Sequence, residues 1–505
     1  MRKMALVGAL LMAAALALSG CVSIPLTQVQ TAGQVTLPEP SVTPPPAPTG
    51  DSWAPRTVQV DLYYIDADQQ QLSPLSRSIR LEGAVSVAEA ALERLLEGTD
   101  VTGLVAVAAE DVALTGLEIS QGIAMVDLSV DALELDGQGL CWMKAAIANT
   151  LVGLEGIQYV QVLVDGKEES AMSLPTGALT ANNATLTALW AQQQADEERF
   201  AANPATAQIQ RRITLYFGAQ QDGRLLPEVR QVVLSSGNVA QDIIEALRQG
   251  PDSPYAHAVL PQDAALTRSP EIATLEDGRR VLLLSFSEGL YEKLERDGMS
   301  AWQLVSALTH TLCRTIPQLD GITVGVNGQL ITRLESETDK LVFEDAVIAP
   351  RDFDDAVARM AVLYFAGSQG GLTRVERAMD LVSAVSPRAL LAQLIAGPDG
   401  RDQNALPVFP QGVTEADLLG IRIEDGCALV NLSSNLYRLC QDITQEQERS
   451  LIYSMVNTLC ALEEVDRVRF YVGGAAVDSL AGWIYLKGEL LPNPGLVAQA
   501  QEDIG

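Results

Sequence analysis

Internal repetition constrains this chain more than any single motif does, because one set of landmarks occurs three times in the same order. Each copy opens on a strand-like run: Val60-Asp61-Leu62-Tyr63-Tyr64, then Ile213-Thr214-Leu215-Tyr216-Phe217, then Ala361-Val362-Leu363-Tyr364-Phe365. A helix follows and closes at glycine: Leu95-Leu96-Glu97-Gly98, Leu247-Arg248-Gln249-Gly250-Pro251 and Leu394-Ile395-Ala396-Gly397-Pro398. Glycine just past the last apolar turn, twice followed by proline, is a helix stop.

The second half of each copy repeats as clearly. Turns at Gln121-Gly122, Asp277-Gly278 and Asp425-Gly426 precede hairpin strands ending Val126-Asp127-Leu128-Ser129, Leu284-Ser285-Phe286-Ser287 and Val430-Asn431-Leu432-Ser433. A second helix carries Asn149-Thr150-Leu151, His310-Thr311-Leu312 and Asn457-Thr458-Leu459. It leads into an alternating strand that ends at Asp165-Gly166, Asn327-Gly328 and Gly473-Gly474. Strand, short strand, helix, hairpin, helix, strand predicts a small α+β domain, with two helices covering one face of a sheet.

Units of about 150 residues exceed the roughly 20 to 50 of a solenoid repeat, so the copies are expected to be beads able to fold alone. Their boundaries are set at Trp53 to Asn183, Ile209 to Phe353 and Asp355 to Leu496, with a tail at 497–505. The first join, Ala184 to Gln208, is Ala- and Gln-rich around Trp190 and is expected to be helical. The second join is only a few residues long, which favours packing of copies two and three.

Ahead of the repeats, Arg2 and Lys3 precede an uncharged apolar run from Ala5 to Leu18, the pattern of a secretion signal. The run is shorter than the ~20 residues needed to span a bilayer, and Leu18-Ser19-Gly20-Cys21 matches the bacterial lipobox. Residues 1–20 are therefore expected to be removed and Cys21 to be diacylated with chains such as palmitate. Two acyl chains, each contributing ~0.8 kcal/mol per buried CH₂, would hold the protein on the outer face of the cell membrane. Residues 21–52, with Pro38, Pro40, Pro44, Pro45, Pro46 and Pro48, cannot bury a core and are expected to be an extended spacer.

Charge narrows the function classes. The chain has 34 basic and 64 acidic residues; without Arg2 and Lys3 the balance is 32 − 64 = −32. Such an excess repels nucleic acid and anionic lipid head groups, so no nucleic-acid partner is expected. The acids are spread over all three copies and serve solubility.

The repeated hairpin end, the Asn149-Thr150-Leu151 helix and the closing strand with Val164-Asp165-Gly166 resemble the GerMN domain, with counterparts in both other copies. The resemblance covers almost all of the chain from Trp53 onward. It implies a fold related to the ring-building motif of envelope secretion machines, and a role in sporulation or spore germination. The family's namesake is a lipoprotein with two such domains, so three copies is a departure.

Catalysis near neutrality usually needs a histidine, and there are two. His257 lies in a polar loop of copy two without counterparts, which reads as a solvated residue. His310 stands where the sister copies have Asn149 and Asn457; an amide cannot shuttle protons, so a hydrogen bond or an exposed helix position is expected. Cys141, Cys313, Cys427, Cys440 and Cys460 take apolar positions of the repeat, with no zinc spacing, and read as small buried hydrophobes. A disulfide between Cys427 and Cys440 stays open.

Asp127 is replaced by Ser285 and Asn431, so no acid is shared. Thr150, Thr311 and Thr458 lie in helices, where a hydroxyl commonly bonds back to a carbonyl one turn earlier. No catalytic residue, cofactor or metal site is assigned, and Cys21 as lipid acceptor is the one site residue. The expected function is a non-catalytic scaffold binding other envelope or sporulation proteins. The alternative is a lipoprotein that binds a wall fragment or germinant, with a wall-active enzyme ranked behind it.

Overall fold

In the computed structural model the described residues are 45–498 except 170–176, 182–190, 192–193, 197, 200, 204–206, 221–222, 236, 336–339, 354 and 403. The expected signal, Cys21 and most of the spacer lie outside them, as does Trp190. Within the first join, residues 194–196, 198–199 and 201–202 are helical.

Alternating apolar residues in Arg56–Asp66 turn Val60, Leu62 and Tyr64 inward, and this strand pairs antiparallel along its whole length with Gln71–Leu81. Ile209–Ala219 with Leu225–Leu234 and Ala358–Gly367 with Leu372–Asp380 repeat the pair. The second strand was expected to be short, yet in copy one both have 11 residues. A two-residue strand, Leu104–Val105, Ala256–His257 or Ala405–Leu406, covers the end of the first strand.

The hairpin Leu114–Ser120 and Ile123–Leu128 forms a second small sheet with Tyr159–Val164, which pairs in parallel. A parallel neighbour needs a crossover, and the second helix, Gly137–Val152, supplies it. That helix packs on both the first and the closing strand, so it joins the two sheets of the copy around one core.

The helices begin where the sequence offers caps. Ser86, Asn238 and Ser386 each accept from a backbone N–H of the first turn. The predicted stops at Gly98, Gly250 and Gly397 all have positive φ, which glycine adopts without steric cost.

Each copy has its own apolar core, but the cores are not sealed from one another. Met125 and Leu163 of copy one, and Ala378 of copy three, belong to the cluster centred on copy two. From Ala47 onward the chain is one compact unit, with the copies packed together and not strung as separate beads.

Candidate interaction surfaces

The recurring threonines do something other than bond back along their helix. Thr150, Thr311 and Thr458 Oγ1 accept from the backbone N–H of Tyr63, Tyr216 and Tyr364 at 3.2, 3.1 and 3.0 Å. Opposite Tyr63 and Tyr216 stand Pro74 and Pro227, which have no N–H to exchange. Tyr364 faces Arg374 and makes the same bond, so the proline is tolerated there and is not the cause: the tyrosine N–H is turned to the other edge, which the two-residue strand covers only further along. The helix hydroxyl closes that gap, since a buried N–H must find a partner.

His310 is buried, which corrects the expectation of an exposed helix position, and neither ring nitrogen makes a hydrogen bond of good geometry. Its ring lies 5.2 Å from Tyr216 and 6.3 Å from Phe353, centroid to centroid. Burial, reinforced by the Arg314 charge, pushes its pKa down to about 3; Glu118 and the nearby Phe353 backbone oppose the shift without reversing it. In copy three the same position ties down the chain end, Asn457 Oδ1 accepting from Asn493 N–H at 2.8 Å. His257 is not a loop residue either. It is half-buried in a two-residue strand, Nε2 3.2 Å from Gln303 Oε1, over Gly218, where a Cβ would strike the ring.

The five cysteines are free thiols. Burial pushes Cys141, Cys440 and Cys460 up to about 12 and Cys427 to about 11, and Cys313 still further, so all stay protonated at neutral pH. Asp127 and Asn431 accept from Gly166 and Gly474 N–H at 2.8 and 3.0 Å, fixing the turn after the closing strand. Among the described residues, no group of three or more His, Cys, Asp and Glu side chains is placed to hold a metal ion.

What the side chains do build is contact between copies. On the outer face of copy one's hairpin sheet, the Glu118 carboxylate accepts two bonds from the Arg314 guanidinium of copy two, at 2.8 and 2.9 Å. Burial raises the Glu118 pKa, but the charge and hydrogen bonds of Arg314 outweigh it and hold the carboxyl below the usual range. Arg314 also donates to the Tyr216 hydroxyl at 2.7 Å, and its carbonyl accepts from Gln161 of copy one. Thr214 donates to Gln161 Oε1 at 2.8 Å, and Lys167 pairs with Asp320 at 2.7 Å.

Copies two and three meet where Leu225 N–H donates to the Ala356 carbonyl at 2.7 Å, beside Met360 and Leu381 packed on the core of copy two. Copies one and three meet through Ser120 Oγ, which donates to the Ala358 carbonyl, and through Arg56 with Glu464 at 3.5 Å. Each copy thus touches both others. A cavity of about 410 Å³ lies between copies one and three, walled by Trp53, Ile119, Leu154, Met360, Leu390 and Ile421. At its rim Arg359 stands 3.9 Å from Glu463, whose carboxyl burial pushes above the usual range.

Sequence reasoning missed three groups. Lys144 and Glu168 form a fully buried ion pair at 2.8 Å in copy one. Glu448, also fully buried, accepts from four backbone N–H groups, those of Leu480, Ala481, Trp483 and Ile484, at 2.8 to 3.2 Å. The end of the expected spacer is the third: Ser52–Trp53 is a strand on the sheet of copy three, with Asp51 bonded to Ile421 N–H at 3.0 Å and paired with Arg388. The only sequence signal among these was Lys144, a charged residue in an apolar helix run; Glu168 and Glu448 stand among other polar residues and gave none.

The family model described as Germane, Sporulation and spore germination, matches residues 61–170, 214–332 and 362–478. Among solved structures, the tandem GerMN domains of the sporulation protein GerM from Bacillus subtilis are 19% identical over 58% of this chain and 99% of that one, with a TM-score of 0.23. The first GerMN domain of the same protein is 22% identical over 25% of this chain and 96% of that one, with a TM-score of 0.21. A comparison with curated proteins finds no match.

Proposed function

Because the chain belongs to the Germane family of sporulation and spore germination proteins, with three copies of its domain, we propose that it is a non-catalytic scaffold that binds other envelope proteins. In this reading a lipid on Cys21 holds it on the outer face of the cell membrane, and residues 22–46 space it from that surface. The observation that carries the proposal is the joint between copies one and two. There the repeat already works as a polypeptide-binding module, with a charged pair, a buried amide and apolar side chains on one sheet face.

The histidines support it: burial holds His310 far below neutrality, and His257 is bonded to Gln303. The acidic excess argues against nucleic acid as the partner. In-cell crosslinking with mass-spectrometric identification tests the proposal. It expects one or a few envelope proteins, lost when a whole copy is deleted, and a germination or sporulation defect in that deletion. Normal spores and no specific partner would overturn it. Cys21→Ser is expected to release the protein from membranes; retention without an acyl label would defeat the anchor.

The cavity between copies one and three favours a second reading, a small ligand such as a wall fragment or germinant. Its test is calorimetric titration with those molecules, where saturable heat would support it and no heat would exclude it.

A further inference from the structure

Three equivalent sheet edges can be compared within this one chain. The outer strand of the hairpin is Leu114–Ser120 in copy one, Glu271–Thr274 in copy two and Leu418–Glu424 in copy three. Register places Ile119, Ile272 and Ile423 at one position, opposite Ala124, Leu282 and Ala428.

In copy three this edge is taken. Ser52–Trp53 runs parallel to it with Trp53 beside Ile423, and the Ile423 carbonyl accepts from Ala54 N–H at 2.7 Å. Trp53 packs on the core of that copy, and Ile423 is 3% exposed. In copy one the edge lies against the start of copy three, with Ile119 half-buried. In copy two no described residue pairs with the edge, and Ile272 is 39% exposed. An unpaired edge with an exposed apolar residue is a template for another strand.

We infer that Glu271–Thr274 is a strand-addition site for an extended segment of a partner protein, running parallel to it and placing an aromatic residue beside Ile272. The chain itself supplies the precedent, since it fills the equivalent edge of copy three with a short polar run ending in Trp53. Main-chain bonds give such a site its affinity, and the side chain beside Ile272 gives it preference. One difference sharpens the partner's description. Pro270 stands where copy three has Ile421, whose N–H is bonded to Asp51. Proline has no N–H, so the partner segment needs no acid two residues before its aromatic, and pairing stops short of Pro270.

The inference rests on the scaffold reading and names one of its surfaces. Its test uses a fluorescein-labelled peptide of residues 48–55, Pro-Thr-Gly-Asp-Ser-Trp-Ala-Pro, titrated onto the full chain with anisotropy and amide-exchange readouts. Saturable binding is expected, with new protection confined to Glu271–Thr274. Ile272→Lys, and Trp53→Ala in the peptide, are each expected to weaken binding about tenfold, while Asp51→Ala in the peptide changes it less than about twofold. Ile272→Pro, tolerated at an edge whose N–H faces outward, removes the donor and is expected to weaken binding as much. Absence of binding would overturn the site, as would protection that falls on Leu418–Glu424 and survives Ile272→Lys. Either result leaves the scaffold reading to the crosslinking test, which does not depend on this edge.

Discussion

Replacing His310 with asparagine should flatten the acid dependence of stability. Burial, with the Arg314 charge adding to it, holds the pKa of the native imidazole at about 3, whereas an unfolded histidine titrates near 6.5. Between these values the unfolded chain binds a proton that the folded chain does not. Stability therefore rises with pH across this window: it is fully present above about pH 6.5 and is lost as the pH falls toward 3. At about pH 4.5 the loss from this one group is about two pH units times 1.36 kcal/mol, or about 2.7 kcal/mol.

Asparagine already occupies this position in both sister copies, so His310→Asn should fold, with a constant offset for the lost packing on Tyr216 and Phe353. Calorimetric melts from about pH 7 to about pH 4.5 compare the variant with its parent. Paired carboxylates titrate in both proteins and cancel. The variant should gain about 2–3 kcal/mol on its parent across the range. Parallel pH profiles would refute the reasoning and mean that His310 is not held neutral by burial.

Thr311→Val keeps the shape of the side chain but strands the buried Tyr216 N–H, and should cost about 1–3 kcal/mol by thermal unfolding. Thr150→Val should cost less, because the Tyr63 N–H is only partly buried. Arg314→Met leaves the Glu118 carboxylate without its partner across the joint and the Tyr216 hydroxyl without its partner inside copy two; because Glu118 stays partly exposed it should cost about 1–3 kcal/mol, and it should raise amide exchange in copies one and two together, leaving copy three unchanged.

The repeat, its order of elements and its helix stops were legible because glycines, turn dipeptides and alternating apolar residues act locally. Thr150, Thr311 and Thr458 were visible as a recurring polar residue in an apolar helix, but local preference pointed to the wrong acceptor. Their real partner is an N–H some 90 residues away in sequence, at Tyr63, Tyr216 and Tyr364. His310 was read from its asparagine counterparts, yet in copy two the ring is buried in tilted contact with Tyr216, a tyrosine all three copies share, and with Phe353. Arg314 gave no signal, since copies one and three carry Gly153 and Ala461 there and only the docked copy one explains it. The strap before copy one looked like spacer because its prolines do exclude a core; its last residues instead complete a sheet that begins more than 350 residues later.

The central claim is that the three copies are one interlocked body. Pairwise spin-label distances measure it directly, with cysteines introduced at the exposed helix positions Glu93, Glu295 and Gln445, one in each copy. Burial holds the five thiols of the copies protonated, so with Cys21 replaced by serine, labelling at neutral pH selects the added ones. Each of the three pairs should give a single narrow distance distribution, and Arg314→Met should broaden the one between copies one and two. Broad distributions for all three pairs in the unaltered chain would mean independent beads on a string and would contradict the account.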